Sequence, residues 1–506
     1  MKRRILAVIC LLALTAGSYW LGTRRSTAQS LPLSPEGLQR AYTVAQIHHT
    51  VSEQYGGFGR SDEDFDWDAL CREAFFEAGQ AEHEYDFFRT LLRLSAALED
   101  GHAMILPPDG VTAALPLRLK WLEDGCYVTA VGSTFDLPLL SKLVYINGED
   151  TADYLEREWL PYTSICTPDA REQHALDLFT HYGRPGDTLS LTFCTPNGDT
   201  TVRELEYGSP SLGMGRHFLD TDDMPNDFTL VRALPTMRLY RDGPAYTIQD
   251  GRPASASPAG CHLILVPTDL KADPAEVRAD LLELLPTLRE GKGVVIDLRK
   301  NGGGNSLNGQ QVLAPFVEDE RVLTGGVIAN LFPEQNTELT LAADPSYSGY
   351  SPDPIGTAML KNRWYPPLDL ESPEGQQQLD SARQWHWETA VEGIPKAEVP
   401  AVVAIDPSVG SAAEDTAYYA QQWGLPLVGS HTAGYTGSIY LLDLPNGYRM
   451  TFSGPRSIRS DTGEDFQNTG IEAEIFADYT VESLLAGEDA ILSAAIAALD
   501  ESVPTE

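Results

Sequence analysis

The chain has 506 residues, too many for one ordinary hydrophobic core, so two or three domains are expected. Apolar residues make up 42% and charged residues 22%, a globular rather than a disordered composition. A formal net charge of -37 repels phosphate backbones and anionic membrane surfaces, which sets nucleic-acid binding aside.

Residues 1–30 form a separate unit. Lys2, Arg3 and Arg4 precede an uncharged stretch from Ile5 to Gly22, and "RRSTAQS" comes next. The pattern is that of a secretory signal peptide or a retained signal anchor. A small-x-small site ending at Ala28 favours cleavage, whereas Arg24 and Arg25 beside it favour retention as a membrane anchor. Either outcome puts the remainder outside the cytoplasm, secreted or tethered to the outer face of the cell membrane. Cys71, Cys126, Cys166, Cys194 and Cys261 form an odd set without CxxC spacing. Neither a zinc site nor a disulfide framework is indicated, although one bridge, such as Cys166 to Cys194, stays open.

Residues 31–108 are expected to be helical, with "HEYDFFRTLLRLSAALED" showing the clearest helical spacing and stopping at Gly101. Residues 109–210 read as a β-rich module, with hairpins at Asp124-Gly125 and Asn197-Gly198. A polar, Pro/Gly-rich passage over 211–258 reads as linker plus short strands. From 259 to 500 the pattern is α/β. "CHLILVPT", "KGVVIDLRKNGGG", "VPAVVAIDPS" and "LPLVGSHTAGYTG" are continuous apolar strands separated by helical segments, as in a mostly parallel sheet covered on both faces. Ligands bind at the carboxyl ends of such strands, where "DLRKNGGG" and "DPSVGSAAE" both lie.

Three features at those ends could carry chemistry. Ser411 opens a helix and is by default an N-cap. The same place aims backbone N–H groups and the positive helix end at whatever its hydroxyl attacks, and Gly410, Ala412 and Ala413 leave room for a substrate backbone. The literal G-x-S-x-G elbow is absent. The loop Asn301–Gly304 has three consecutive glycines after a buried strand, which suits a tight turn or close backbone approach. It lacks a phosphate-loop GK[ST], and an oxyanion hole fits it better. His102, in "LEDGHAMI", would supply the base that a serine hydroxyl needs, unless it is a structural histidine. The ten histidines show no H-E-x-x-H or other metal spacing, so neither metal nor cofactor is expected.

"GVVIDLRKNGGG", "GSAAEDTAYYAQQWGLPLVGSHTAGYTG" and "DFQNTGIEAEI", in this order, resemble the catalytic domain of C-terminal-processing (tail-specific) serine peptidases. "LRLSAALEDGHAMI" resembles the His-using branch that includes the tricorn core protease and the interphotoreceptor retinoid-binding proteins. "LPLLSKLVYINGED" is similar to the end of the family's PDZ-like module. The resemblance implies a ClpP/crotonase-like α/β catalytic domain after a helical region and a PDZ-like module. It further implies Ser411 as nucleophile, His102 as general base, and an oxyanion hole from Gly303, Gly302 and the N–H of Ala412. The tail-specific branch has a lysine where this chain has Tyr435 or Thr436, and an Asp where it has Gln422. The tricorn-like branch has a Glu where this chain has Gln467, with Glu464 nearby; Gln467, Glu414 and Glu464 are the candidates for orienting the imidazole. The expected function is therefore an exported serine endopeptidase acting on peptide or unfolded protein. The alternative is an inactive relative of the same fold that binds peptide or lipid. Substrate identity and oligomeric state are not specified by these residues.

Overall fold

In the computed structural model, the described residues are 33–58, 65–122, 124–132, 135–208, 214–217, 228–243, 246–249, 252–255, 260–331 and 372–502. The expected export segment lies outside them. Among the described residues no helix is long and apolar enough to cross a membrane.

The N-terminal region forms three helices, Pro35–Gln54, Trp67–Gln80 and Glu84–Ala96. Ser34 and Asp66 cap the first two, accepting from the N–H groups of Gly37 and Ala69. Their inner faces bury Val44, Ile47, Phe87, Phe88 and Leu91 together with Tyr440, Met450 and Phe452 from near the other end of the chain. The third helix ends at Ala96, not at Gly101, and Glu99 at φ 48° makes the left-handed turn. A short strand Met104–Leu106 then pairs antiparallel with Arg449–Ser453, with Met104 opposite Thr451. That register, continued by two residues, faces His102 toward Ser453.

The β-rich module pairs Leu117–Leu122, Gly125–Gly132, Lys142–Ile146, Thr188–Cys194 and Thr200–Glu206 in that order. Both expected hairpins form, Leu122 facing Gly125 and Cys194 facing Thr200. The module also holds helices Thr151–Glu158 and Pro168–His181, which a strand pattern for this stretch does not announce. Phe179 of the second packs with Leu117, Val128 and Phe193. All five cysteines in the described residues are free, so the Cys166–Cys194 bridge does not form.

The α/β domain is built on a seven-stranded sheet, ordered Ile475–Phe476, Leu427–Gly429, Ala401–Ile405, Gly293–Asp297, His262–Pro267, Met237–Asp242, Phe228–Ala233. The first five run parallel, Met237–Asp242 runs against them, and Phe228–Ala233 pairs antiparallel with Met237–Asp242. The passage expected as linker plus short strands thus contributes two of its strands to this sheet. Alternate side chains point to opposite faces. Leu263, Leu265, Val294, Ile296 and Val403 pack under Leu281, Leu284 and Tyr418, while Ile264, Val295, Val402 and Val428 pack under Ile491, Leu492 and Leu499. Covering on both faces explains the unbroken apolar strands in the sequence.

One polar tie fixes the sheet's carboxyl edge. Arg299, just past strand Gly293–Asp297, forks onto both oxygens of Asp297 at 2.8 Å. Its other nitrogen reaches Asp489 at 2.8 Å and the Tyr479 hydroxyl at 2.6 Å. All three charges are almost fully buried, so they are stable only as a set. Arg299→Ala should therefore lower the unfolding free energy by about 3–5 kcal/mol in urea titrations; unchanged stability would contradict this role for the tie.

Candidate active site

Ser411 follows strand Ala401–Ile405 through a turn closed by Asp406, whose carbonyl accepts from Val409 N–H. Its backbone sits at φ 53°, ψ -133°, and its side chain makes no capping bond to the helix Ala412–Gln422 that it precedes. Left-handed φ is uncommon outside glycine and costs on the order of 1–3 kcal/mol. A capping serine adopts extended backbone and has no need of it. The strained strand-to-helix turn is the conformation that lifts a nucleophilic hydroxyl clear of the sheet. Surrounding bonds hold it there: Ser411 N–H donates to the Tyr435 carbonyl at 2.8 Å, and Ala433 N–H to the Val409 carbonyl at 2.8 Å.

The glycine loop lies against this turn. Gly303, at φ 102°, is so close that a Cβ there would stand 2.6 Å from the Ser411 Cβ and 2.7 Å from the Ala412 nitrogen. Only glycine fits. The Ala412 and Gly302 N–H groups have no acceptor among the described residues, while the Gly303 N–H donates to Asn301 Oδ1 at 3.0 Å. The Ala412 N–H, directly after Ser411, is thus an unpaired donor at this turn, while the Gly303 N–H is taken up by Asn301.

His102 is 2% exposed. Its Nδ1 lies 3.0 Å from Ser453 Oγ, and Ser453 Oγ donates to Asp100 Oδ1 at 2.9 Å. Because the single hydroxyl hydrogen of Ser453 goes to Asp100, Nδ1 must carry the proton and donate, leaving Nε2 with its lone pair. Asp100 is fully buried and also accepts from the N–H of His102 and of Ser453. Burial pushes the imidazole below its ordinary pKa, against the opposing pull of Asp100, so His102 is neutral near pH 7.

The ring nitrogen that would act as base, Nε2, is buried without a hydrogen-bond partner, so it does not touch Ser411. Tyr435 packs beside the imidazole. Its ring meets the His102 imidazole edge-on at 5.0 Å. A Cβ on Gly101 would fall 2.3 Å from Tyr435 Cδ1, and one on Gly410 would fall 2.3 Å from its hydroxyl. The two glycines are small because Tyr435 spans from one turn to the other. Gly101, expected as a helix stop, serves here instead.

The orienting candidates separate. Gln467 does not contact the imidazole; its Nε2 donates to Ser453 Oγ at 3.1 Å, to the Thr436 carbonyl at 3.0 Å and to Asp100 Oδ1 at 3.3 Å. Glu464 is exposed and away from His102. Glu414 faces the other way, accepting from Thr432 Oγ1 and from the N–H groups of Gly434 and Tyr435. Gln422 bonds Gly326 N–H and Asp461, away from Ser411. Asp100 and Ser453 are not among the residues that the sequence singles out. Asp100 stands in plain view two residues before His102, but the importance of Ser453 follows only from the strand register.

Residues 268–476 match the peptidase family S41. No curated protein sequence is significantly similar to the chain. Mature CPAF superposes with a TM-score of 0.66 at 15% identity, over 92% of this chain and 96% of that chain. Mature CPAF complexed with lactacystin gives 0.63 at 14% identity, over 92% and 98%. At such identities the likeness establishes a shared fold.

Two carboxylates on the first turn of the Ser411 helix titrate unusually. Burial pushes Glu414 up to about 8 and Asp415 up to about 6, in both cases against hydrogen bonds that favour the charge. A folded-state pKa above the ordinary value means that the folded protein holds the proton more tightly. The resulting stability is present below about pH 4 and is lost as pH rises through 6 and then 8, at about 1.4 kcal/mol for each tenfold gain in proton affinity. Thermal melts between pH 5 and 9 should therefore fall with pH from this source, and Glu414→Gln should flatten the upper part of that slope. An identical slope in the variant would refute the assignment.

Proposed function

Because residues 268–476 match peptidase family S41, a family of serine peptidases, we propose that this chain is an exported endopeptidase of that family using Ser411 as nucleophile and His102 as general base. The observation that carries the proposal is the backbone of Ser411. A strained, uncapped serine at φ 53°, packed against Gly303 and beside the Ala412 N–H, has a chemical use and no structural one.

In the proposed cycle His102 Nε2 takes the proton of Ser411 Oγ as that oxygen attacks a peptide carbonyl carbon. The Ala412 N–H and a donor from Gly302–Gly303 hold the negative charge that develops on the carbonyl oxygen. The imidazolium then protonates the leaving amine, and water, deprotonated by the same nitrogen, releases the acyl group from Ser411. Asp100 stabilises the imidazolium through Ser453, and Gln467 keeps Ser453 in place. Export rests on the segment Lys2–Gly22 and the acidity of the remaining chain.

His102 Nε2 has no hydrogen-bond partner in this arrangement, and the proposed contact with Ser411 forms once Tyr435, packed on His102 and against Gly410, shifts. Gly434 and Gly437, at φ 85° and 105°, flank its loop and give it turning points. The arrangement described is then a resting one, opened by substrate. The separation also supports the second reading, an inactive binding relative in which Tyr435 closes the site permanently.

Cleavage of an unfolded protein should fall by roughly a thousandfold or more in Ser411→Ala and in His102→Ala. Equal turnover by wild type and Ser411→Ala would remove the proposal. Because burial lowers the His102 pKa, the acid limb of kcat/KM should lie below 6.5, the ordinary histidine value. Labelling by a fluorophosphonate or by lactacystin reads the gate. Tyr435→Ala should label several-fold faster than wild type, with Tyr435→Phe unchanged. Absence of labelling in all three would favour the binding relative.

A further inference from the structure

Beside the glycine loop opens a cavity of about 410 Å³. It lies past the carboxyl ends of strands His262–Pro267 and Gly293–Asp297 and reaches Gly302 and Gly303, where ligands of open α/β sheets are held. Its charged lining is Arg238, Lys271, Arg299 and Lys300 against the single acid Asp269. The whole chain holds 73 acidic and 36 basic residues, so a pocket with the opposite balance departs from its composition.

The charges have different standing. Arg299 is neutralised by Asp297 and Asp489. Asp269 turns a carboxylate oxygen to the N–H of Lys271 at 2.8 Å, which leaves it partly engaged. The ammonium of Lys271 makes no ion pair among the described residues, and the residue is exposed. Lys300 is held at φ 61°, with its N–H on Ser408 Oγ at 2.8 Å, so its side chain leaves a fixed point at the cavity rim.

The walls are rigid. Asn305 N–H and Asn308 Nδ2 donate to the Leu270 carbonyl at 2.7 and 3.0 Å, and Asn301 Nδ2 to the Pro267 carbonyl at 2.9 Å. Gly304 is pressed so close to Leu270 that a Cβ would stand 2.4 Å from its carbonyl. Such bonding lets the cationic groups act from set positions.

We propose that this pocket receives a carboxylate of the substrate, within a few residues of the bond presented to Ser411, with Lys271 its principal contact. The inference rests on the peptidase reading for the word substrate, but binding can be tested without turnover. The carboxylate could come from an Asp or Glu side chain or from a free C-terminus.

The test uses full-length Ser411→Ala protein and three pools of unstructured decapeptides in fluorescence anisotropy. One pool contains Glu with an amidated C-terminus, one contains Gln with a free C-terminus, and one contains Gln with an amidated C-terminus. About tenfold tighter binding of the first or the second pool over the third is expected, and it identifies the source of the carboxylate. That preference should weaken with salt and disappear in Lys271→Ala. In Lys271→Glu it should turn toward a Lys-containing pool. Equal affinity for all three pools, or a preference that survives Lys271→Glu, overturns the proposal. Incubating wild-type protein with the same pools reads cleavage separately. Selective binding without cleavage would sink the peptidase reading and leave the pocket assigned.

Discussion

Two adjacent carboxylates hold the site together. Glu414 and Asp415 occupy the first turn of the helix behind Ser411, where the helix dipole favours negative charge. Glu414, with no solvent exposure, gathers Thr432 Oγ1 and the N–H groups of Gly434 and Tyr435. Asp415 gathers the hydroxyls of Thr436 and Ser306. The first set shapes the loop that carries Tyr435, and the second links that loop to the helix following the glycine segment. Two segments from distant parts of the chain, residues 432–436 and the helix start at Ser306, are therefore positioned by one helical turn. Burying two carboxylates is expensive, and only this number of donors makes it tolerable.

The strain at Ser411 depends on those ties. A left-handed serine relaxes unless its neighbours prevent it. The Tyr435 carbonyl, which accepts the Ser411 N–H, is fixed because Glu414 holds the Tyr435 N–H on the other side of the same residue. Positioning of the imidazole uses a separate device. Antiparallel pairing of Met104–Leu106 with Arg449–Ser453 faces His102 toward Ser453, and Thr451 Oγ1 grips the His102 carbonyl at 2.6 Å. The nucleophile is set by the parallel sheet and the imidazole by a small antiparallel one. Gln467 ties the two frames, donating to the Thr436 carbonyl on one side and to Ser453 Oγ and Asp100 on the other.

The α/β domain is legible in the sequence because both of its faces are covered, so its strands read as unbroken apolar runs between helices. Ser411, the glycine loop and His102 are legible because each sits at a punctuation point of the chain. Pairing between remote segments is not. Strands 228–233 and 237–242 read only as short strands within a linker, not as part of the main sheet, because their outer, half-exposed positions break the apolar run. Helices 151–158 and 168–181 are hidden between β hairpins. Ser453 carries no local signal, since a serine ending a strand is ordinary until register faces it to an imidazole. Gln467, the first candidate for orienting His102 directly, works one residue removed, on Ser453 and Asp100. Gly101 reads as a helix stop, while its physical reason is the ring of Tyr435, a contact across more than three hundred positions.

Tyr435 shows how such contacts alter the meaning of a local difference. Considered alone, Tyr435 or Thr436 in the place where the resemblance puts a lysine suggests a lost base. Burial pushes the Tyr435 phenol up to about 12, so it cannot replace the lysine as a base near neutral pH. Its ring instead fills the volume between two side-chain-free residues, Gly101 and Gly410, one beside the imidazole and the other beside the nucleophile. The fit of three residues from three segments couples the turn before the imidazole, the turn before the nucleophile and the Tyr435 loop. Any account of the site's chemistry has to include how Tyr435 moves.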